Sequence, residues 1–192
     1  MLALVAALAL SAGPAAAAGP GSRTLAVEFG ASSLTYRIVH KLHEVEGRSA
    51  RVEGKAIVQP DGKVLTMVRV PVATFDSGDG NRDAHMQEAV ESGKFPFAIV
   101  KGVTNLPPGA LDGPRPATLS ATLAGELEFH GVKAPISVPL QVTLEAGGRV
   151  RVKGELPVSL DAHGVERPAL LFVKVDDACK ISLDLVLGEV KP

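Results

Sequence analysis

Apolar and polar residues alternate with a period of two along most of this chain. The alternation is clearest over residues 119–129, 136–144 and 150–160, where apolar residues or glycine occupy every second position. Turn-forming pairs, His130-Gly131 and Gly147-Gly148, separate these stretches. A strict period of two predicts strands that each bury one face, and many such strands joined by turns predict an antiparallel sandwich or barrel.

The length of the predicted strands distinguishes between these two architectures. Several strands are about ten residues or longer, which favours a closed up-and-down barrel, and closure also removes exposed strand edges. A barrel of about eight strands either fills with side chains or holds one small ligand. The inward positions here are mostly Val, Leu and Ala, so we expect an apolar cavity. The predicted fold class is all-β, an extended antiparallel up-and-down β-barrel.

One polar segment, Phe75 to Met86, interrupts the alternation. It is rich in charge and glycine, and it follows a predicted strand that ends near Val72. Arg82 and Asp83 are expected to begin a helix, since aspartate is favoured at the positive end of the helix dipole. Residues 88–94 have the composition of a short helix that closes on Gly93. We therefore predict a structured loop followed by one short helix near one end of the barrel.

Four segments in the right order resemble the YceI-like family of secreted, lipocalin-like lipid-binding barrels. They are the polar segment with Phe95-Pro96 just after it, and residues 39–47, 125–135 and 160–168. The resemblance extends from about Arg23 to Val190, and His163 stands where it leads us to expect an apolar or aromatic residue. It implies a single barrel domain over residues 19–192 that encloses a long amphiphile: a polyisoprenoid, an isoprenoid quinone or a fatty-acyl compound.

The ligand pocket that this resemblance implies is the barrel lumen. Alternation places a set of inward-facing residues there, and each could equally serve as ordinary core. The candidate lining residues are Leu34, Tyr36, Ile38, Val52, Val70, Val100, Leu119, Leu123, Ile136, Val138, Leu140, Val152, Leu183 and Leu185.

The polar segment and one nearby histidine supply a second candidate set. Its members are His40, Asp76, Asn81, Arg82, Asp83 and His85. In one interpretation Asp76, Arg82 and Asp83, together with His40 or His85, form a hydrogen-bonded clasp that holds the helix across the mouth of the barrel. In the other, Asn81, Arg82 and His85 contact the headgroup of the ligand. The two interpretations are compatible, and both stay open.

The composition argues against two classes of partner and against a disulfide. The formal net charge of −1 and the aromatic content of 4% indicate neither a nucleic-acid partner nor attachment to an anionic membrane surface. Cys179 is the single cysteine, so no disulfide can form within the chain, and its place in an alternating strand predicts a small buried hydrophobe. His130, in a tight turn, is expected to be solvated.

The first 18 residues have the features of a signal peptide. An apolar run from Leu2 to Leu10 precedes small residues with an A-x-A pattern at Ala16 and Ala18, which predicts cleavage after Ala18. The run is too short to span a bilayer of about 30 Å. No cysteine follows it, so we expect no stable membrane anchor and a periplasmic or secreted protein.

Catalytic and metal-binding motifs fit this sequence poorly. Asp79, Asn81 and Asp83 have calcium-loop spacing, but Ala84 and Val90 replace the glycine and glutamate that the loop requires. We therefore predict neither metal nor cofactor and no enzymatic activity. Two alternatives stay open: a ligand-free structural or stress-response module, and a small metal- or His-dependent enzyme that uses His40, Asp83 and His85. A homodimer is possible through an apolar patch at Phe97 and Ile99.

Overall fold

The computed structural model of the protein describes residues 19, 21–40, 43–167, 169–170 and 173–190. The predicted signal peptide and its cleavage point after Ala18 lie outside these residues. The described elements are β1 (Arg23–Val27), β2 (Ser33–His40), β3 (His43–Ser49), β4 (Glu53–Val58), β5 (Lys63–Pro71), α1 (Gly80–Ala89), β6 (Phe97–Asn105), β7 (Ala117–Phe129), β8 (Val132–Leu144), β9 (Val150–Ser159), β10 (Ala169–Leu170), β11 (Val173–Lys174) and β12 (Ala178–Glu189).

Eight strands close into an antiparallel ring, which confirms the predicted barrel. Its order is β1-β4-β5-β6-β7-β8-β9-β12, and β12 pairs back onto β1. The closing pairs join Leu25 to Glu189 and Val27 to Leu187. The β2–β3 hairpin extends this ring at one end, because β2 pairs with the first half of β12 while β1 pairs with its last residues.

The break between β1 and β2 is filled by a buried serine. Ser32 is 1% exposed, and its hydroxyl donates to the carbonyl oxygen of Val186 and accepts from the amide of Val186, at 3.2 and 2.9 Å. The amide of Glu28 also donates to the Val186 carbonyl, at 2.8 Å. A buried backbone amide that lacked a partner would be costly. Ser32 therefore keeps β12 continuous past the point where its neighbouring strand is interrupted.

The helix occupies a gap in the strand pairing. Arg82 and Asp83 lie in its first turn, as predicted, whereas the second predicted helical segment, residues 88–94, is wrong for most of its length. In the described residues β3 does not pair with β5, and the chain from residue 72 to α1 lies there instead, joined to β3 by two backbone bonds between Arg48 and Asp76. The helix begins at Gly80, two residues before the predicted start at Arg82, and residues 90–94 form turns. Asp79 caps it by accepting from the amides of Asn81 and Arg82.

A pair of inward-facing glycines allows two neighbouring strands to approach each other closely. Gly102 on β6 is paired directly with Gly125 on β7. A Cβ atom at Gly125 would lie 2.1 Å from the carbonyl oxygen of Lys101, so no other residue fits without moving the strands apart.

The two ends of the barrel are built differently. The mouth is the end that carries α1, the β7–β8 turn and residues 160–167. The far end carries the β4–β5 turn, the β8–β9 turn and residues 106–116, which we call the plug segment. Buried apolar side chains form one cluster near each end. No helix in the described ranges is long and apolar enough to cross a membrane.

Candidate functional site

An apolar cavity of about 670 Å³ runs through the barrel between its two ends. At the mouth its wall includes Phe75, Met86 and Val90, and at the far end it includes Leu106 and Leu111. The middle of the wall is formed by inward positions of the strands, which are almost all aliphatic. Such a lining can bind an apolar molecule and offers few polar groups along its length.

Ten of the fourteen predicted lining residues line this cavity. They are Leu34, Tyr36, Ile38, Val70, Val100, Leu123, Leu140, Val152, Leu183 and Leu185. The other four do not line the cavity but belong to the two clusters of apolar side chains around it, which we call the packed layer. Val52 and Val138 are buried in these clusters, and Leu119 and Ile136 pack against them. Whether any of the fourteen touches a ligand stays a prediction.

Further lining residues were not among the fourteen, and they form two groups. One group consists of inward positions on the long strands, such as Leu127, Val142 and Val158. The other group lies outside the strands. Met86, Ala89 and Val90 approach the cavity from α1 and the turn after it. Their spacing of three and four residues is the pattern of one helical face, so this signal was present in the sequence. Leu111 lies in a three-residue 3₁₀ turn, where no periodic pattern could have identified it.

The polar candidates at the mouth separate into two roles. Asp83 accepts from the amide of Ser77 at 3.1 Å, and the carboxylate of Asp76 accepts from the amide of Gly78 at 2.7 Å. These two aspartates fold the segment that leads into α1. Arg82 and His85, in contrast, line the cavity.

Arg82 and His85 are available for new contacts. The guanidinium of Arg82 makes a long ion pair with Asp79, at 3.5 Å, and among the described residues His85 has no hydrogen-bond or charged partner. Asn81 contributes its backbone amide to the helix cap. The side chain of His40 lies outside what the structure describes.

Tyr36 places a hydroxyl at the mouth, within range of the charges of Arg82 and Asp83. Its ring packs against Phe75, with centroids 5.5 Å apart, and over Gly47. Burial raises the pKa of the Tyr36 hydroxyl, the charge of Asp83 raises it further, and Arg82 partly opposes the change. Tyr36 therefore keeps its proton and can donate a hydrogen bond at the mouth.

His130 is not solvated, contrary to the prediction. Its side chain is 10% exposed, because the ring bonds to the carboxylate of Glu91 at 3.0 Å and to the carbonyl oxygen of His163 at 2.9 Å. It also stacks edge-on against Phe95. These contacts join the β7–β8 turn to the end of α1 and to the turn after β9.

His163, which stands where an apolar or aromatic residue was expected, is buried at the mouth. It is 4% exposed, and its Nδ1 donates to the carbonyl oxygen of Ser159 at 2.8 Å. Its ring lies 5.6 Å from that of Phe129, centroid to centroid. His163 therefore fills the apolar position with one face of its ring while satisfying one nitrogen through the backbone.

Cys179 is buried and lines the cavity, as a small hydrophobe would. Burial raises the pKa of its thiol from 9.0 to about 11. The native thiol therefore holds about a hundredfold less thiolate than a free thiol at neutral pH.

We expect iodoacetamide to label Cys179 in the native protein very slowly at pH 8 and rapidly after unfolding in urea, as followed by mass spectrometry. Equal labelling rates in the two states would contradict this burial.

The described part of the chain holds no group of three or more His, Cys, Asp and Glu side chains that could bind a metal ion. Asp83 and His85, two members of the alternative catalytic set, lie two residues apart on α1.

Comparison with known proteins identifies relatives of this barrel. A family model described as a YceI-like domain matches residues 26–187. Among solved structures, the chain is similar to a polyisoprenoid binding domain from Saccharophagus degradans implicated in plant cell wall breakdown. The two share 17% identity with a TM-score of 0.72, over 86% of this chain and 98% of that one.

Two other solved structures share the fold. BcnA of Burkholderia cenocepacia has 19% identity and a TM-score of 0.69, over 83% of this chain and 98% of its own. A YceI protein of Campylobacter jejuni has 15% identity and a TM-score of 0.54, over 80% of this chain and 90% of its own. A search of curated proteins finds no significant match.

Proposed function

The chain belongs to the YceI-like family, and from that premise we propose that it binds one long apolar lipid inside the barrel and stores or carries it. The candidate ligands are a polyisoprenoid, an isoprenoid quinone or a fatty-acyl compound. The observation that carries the proposal is the aliphatic cavity of about 670 Å³. The polyisoprenoid-binding relative from Saccharophagus degradans supports this choice of ligand class.

The size of the cavity favours a ligand over a ligand-free module. Well-packed protein interiors hold few voids larger than a water molecule, so an aliphatic cavity of about 670 Å³ is far more space than a filled core would leave. A lipid chain suits this space, since each buried methylene contributes about 0.8 kcal/mol and ten of them correspond to roughly micromolar binding.

Binding rather than catalysis is the activity that we propose. The titratable side chains on the cavity wall are Tyr36, Arg69, Arg82, His85 and Cys179. Burial keeps the hydroxyl of Tyr36 and the thiol of Cys179 protonated, so neither is an activated nucleophile.

Native mass spectrometry of the protein purified from its own host tests this proposal most directly. We expect a one-to-one adduct that is released by organic solvent and identified as a prenyl or acyl compound. A bare mass that persists after incubation with total membrane lipid would contradict the proposal and favour the ligand-free module.

We further propose that the ligand presents a polar headgroup at the mouth. Arg82 and His85 line the cavity there, with weak or no bonding to other described residues, and Tyr36 adds a hydroxyl donor. Asn81 lies on the same helix. Three donors at one end of an apolar cavity suit an anionic or hydrogen-bond-accepting headgroup. Asp76 and Asp83 hold the helix in place, so the clasp and the headgroup contact coexist.

Removing the donors is expected to weaken acid binding selectively. The double substitution Arg82→Gln and His85→Gln should lower the affinity for a fatty acid about tenfold, or about 1.4 kcal/mol, because a charge-assisted bond is lost at a partly exposed site. The affinity for the alcohol of the same chain length should stay unchanged. Competition against a fluorescent apolar probe measures both. Arg149→Gln, at the far end, is the matched control, and an equal loss for acid and alcohol would contradict the headgroup role.

We propose that the mature protein begins after Ala18 and acts in the periplasm or outside the cell. A homodimer through Phe97 and Ile99 stays a prediction. These two side chains alternate with Ala98 and Val100, which line the cavity, and the guanidinium of Arg69 covers the ring of Phe97 at 4.8 Å.

A further inference from the structure

We infer that Leu111 is the end stop that sets how long a chain the barrel can enclose, and that the enclosed part of the ligand is limited to about 27 carbon atoms. This inference rests on the proposed lipid-binding function. It adds a specificity-determining residue and a limit on ligand size.

The limit follows from the cavity volume. An apolar cavity of about 150 Å³ in another protein takes up one benzene molecule, so each enclosed carbon atom needs about 25 Å³. The volume of 670 Å³ therefore accommodates about 27 carbon atoms, close to five isoprene units. A longer polyisoprenoid would have to leave its remaining units outside the mouth.

The far end can act as a stop because the plug segment is fixed on several sides. Arg115 donates to the carbonyl oxygens of Leu111, Glu145 and Arg149 at 3.0–3.2 Å, which ties the segment to the β8–β9 turn. Arg23 on β1 pairs with Asp112 at 2.7 Å.

The start of the plug segment is held by the backbone itself. The amide of Leu106 donates to the carbonyl oxygen of Gly62 in the β4–β5 turn, at 2.9 Å. The approach is close, because a Cβ atom at Gly62 would lie 2.0 Å from the carbonyl oxygen of Leu106. A ligand chain that reaches this end therefore meets a segment that three neighbouring parts of the barrel prevent from moving.

Leu106 and Leu111 are the side chains of this segment that line the lumen, and Leu111 is the fully buried one. It is 6% exposed, lines the cavity, and packs in the far-end cluster with residues such as Leu144 and Val150. The mouth differs, because none of the residues of α1 is fully buried. The apolar end of a ligand is therefore expected to point toward Leu111 and its headgroup toward Arg82 and His85.

A homologous series of saturated fatty acids, from about sixteen to about thirty-two carbons, tests the stop, because it extends beyond the limit of about 27 carbons. Affinity should rise about fourfold per added methylene until the chain reaches Leu111, and then level off. Leu111→Ala removes three carbon atoms and should move the plateau about two to three carbons longer. Leu111→Phe adds three and should move it shorter by a similar amount. Because the two variants should shift the plateau in opposite directions, a loss of stability alone could not produce both results.

Leu65→Ala is the matched control. Leu65 lies on β5 between the lining residues Val64 and Thr66 and does not itself line the cavity, so the same three carbon atoms are removed from the outer face at the far end. This variant should leave the plateau at the wild-type length. Equal shifts in Leu111→Ala and Leu65→Ala, or no shift in either Leu111 variant, would overturn the role of Leu111. If the wild-type protein bound no member of the series, the proposed function itself would fail.

Discussion

Tryptophan at position 100 is expected to abolish lipid binding while the barrel stays folded. Val100 lies near the middle of the lumen, on the inward face of β6, and lines the cavity. It is half-buried because it borders open space. A large ring there would occupy volume that the ligand needs without entering the packed layer. We expect the affinity for a fluorescent apolar probe to fall more than about a hundredfold, since the chain would lose several buried methylenes.

The same substitution on the outer face of the same strand provides the control. Val103 alternates with the inward positions, so Val103→Trp places the ring outside the barrel. This variant should bind the probe with wild-type affinity. Circular dichroism and thermal unfolding establish that both variants are folded. Wild-type binding by a folded Val100→Trp protein would show that the lipid does not occupy the lumen.

Gly125→Ala is expected to cost about 3 kcal/mol of unfolding free energy, because it overpacks the sheet. The new methyl would lie 2.1 Å from the carbonyl oxygen of Lys101 and 2.6 Å from the Cα atom of Gly102. Both obstructing atoms belong to the backbone of β6, so relief requires moving two paired strands apart. Urea unfolding, with a shift of the midpoint at unchanged slope, measures the loss.

Gly80→Ala separates this steric effect from the general effect of replacing glycine. Gly80 is the first residue of α1, it does not have a positive φ, and no atom lies within 4 Å of a Cβ built there. Alanine should therefore stabilise the protein by about 0.5–1 kcal/mol through the unfolded chain and helix propensity. If the two variants were equally stable, the close approach of β6 and β7 would not be the constraint described.

The sequence predicted the strands well, because period-two alternation is a local property. It also identified the inward face, which is why ten of the fourteen expected residues line the cavity. The alternation did not predict whether an inward-facing side chain is packed against its neighbours or borders the cavity. Val138 and Leu140 have the same orientation on β8, yet Val138 is in the packed layer and Leu140 borders the cavity. That difference depends on which side chains pack against each residue across the barrel, and those neighbours are distant in sequence.

The parts that the sequence missed depend on contacts between distant residues. His130 was expected in solvent because its turn is polar, but the ring packs against Phe95 and bonds to Glu91, some 35 to 39 residues away. The start of the helix was predicted two residues too late, at Arg82, because Gly78 and Gly80 suggested a loop, and a helix was predicted over residues 90–94, where the chain forms turns. Asp79 between these two glycines is a helix cap, and cap residues and turn residues have the same composition.

The seam between β1 and β12 has a consequence for the order of events during folding. Leu25 pairs with Glu189, so the ring closes between strands that are more than 160 residues apart in sequence. Such distant pairings slow folding, typically to milliseconds or longer for β-proteins. Until β12 is in place the lumen has no wall on that side. A lipid can therefore be enclosed only after the last strand has been synthesised and has paired with β1. A refolding experiment should find that ligand uptake follows barrel closure.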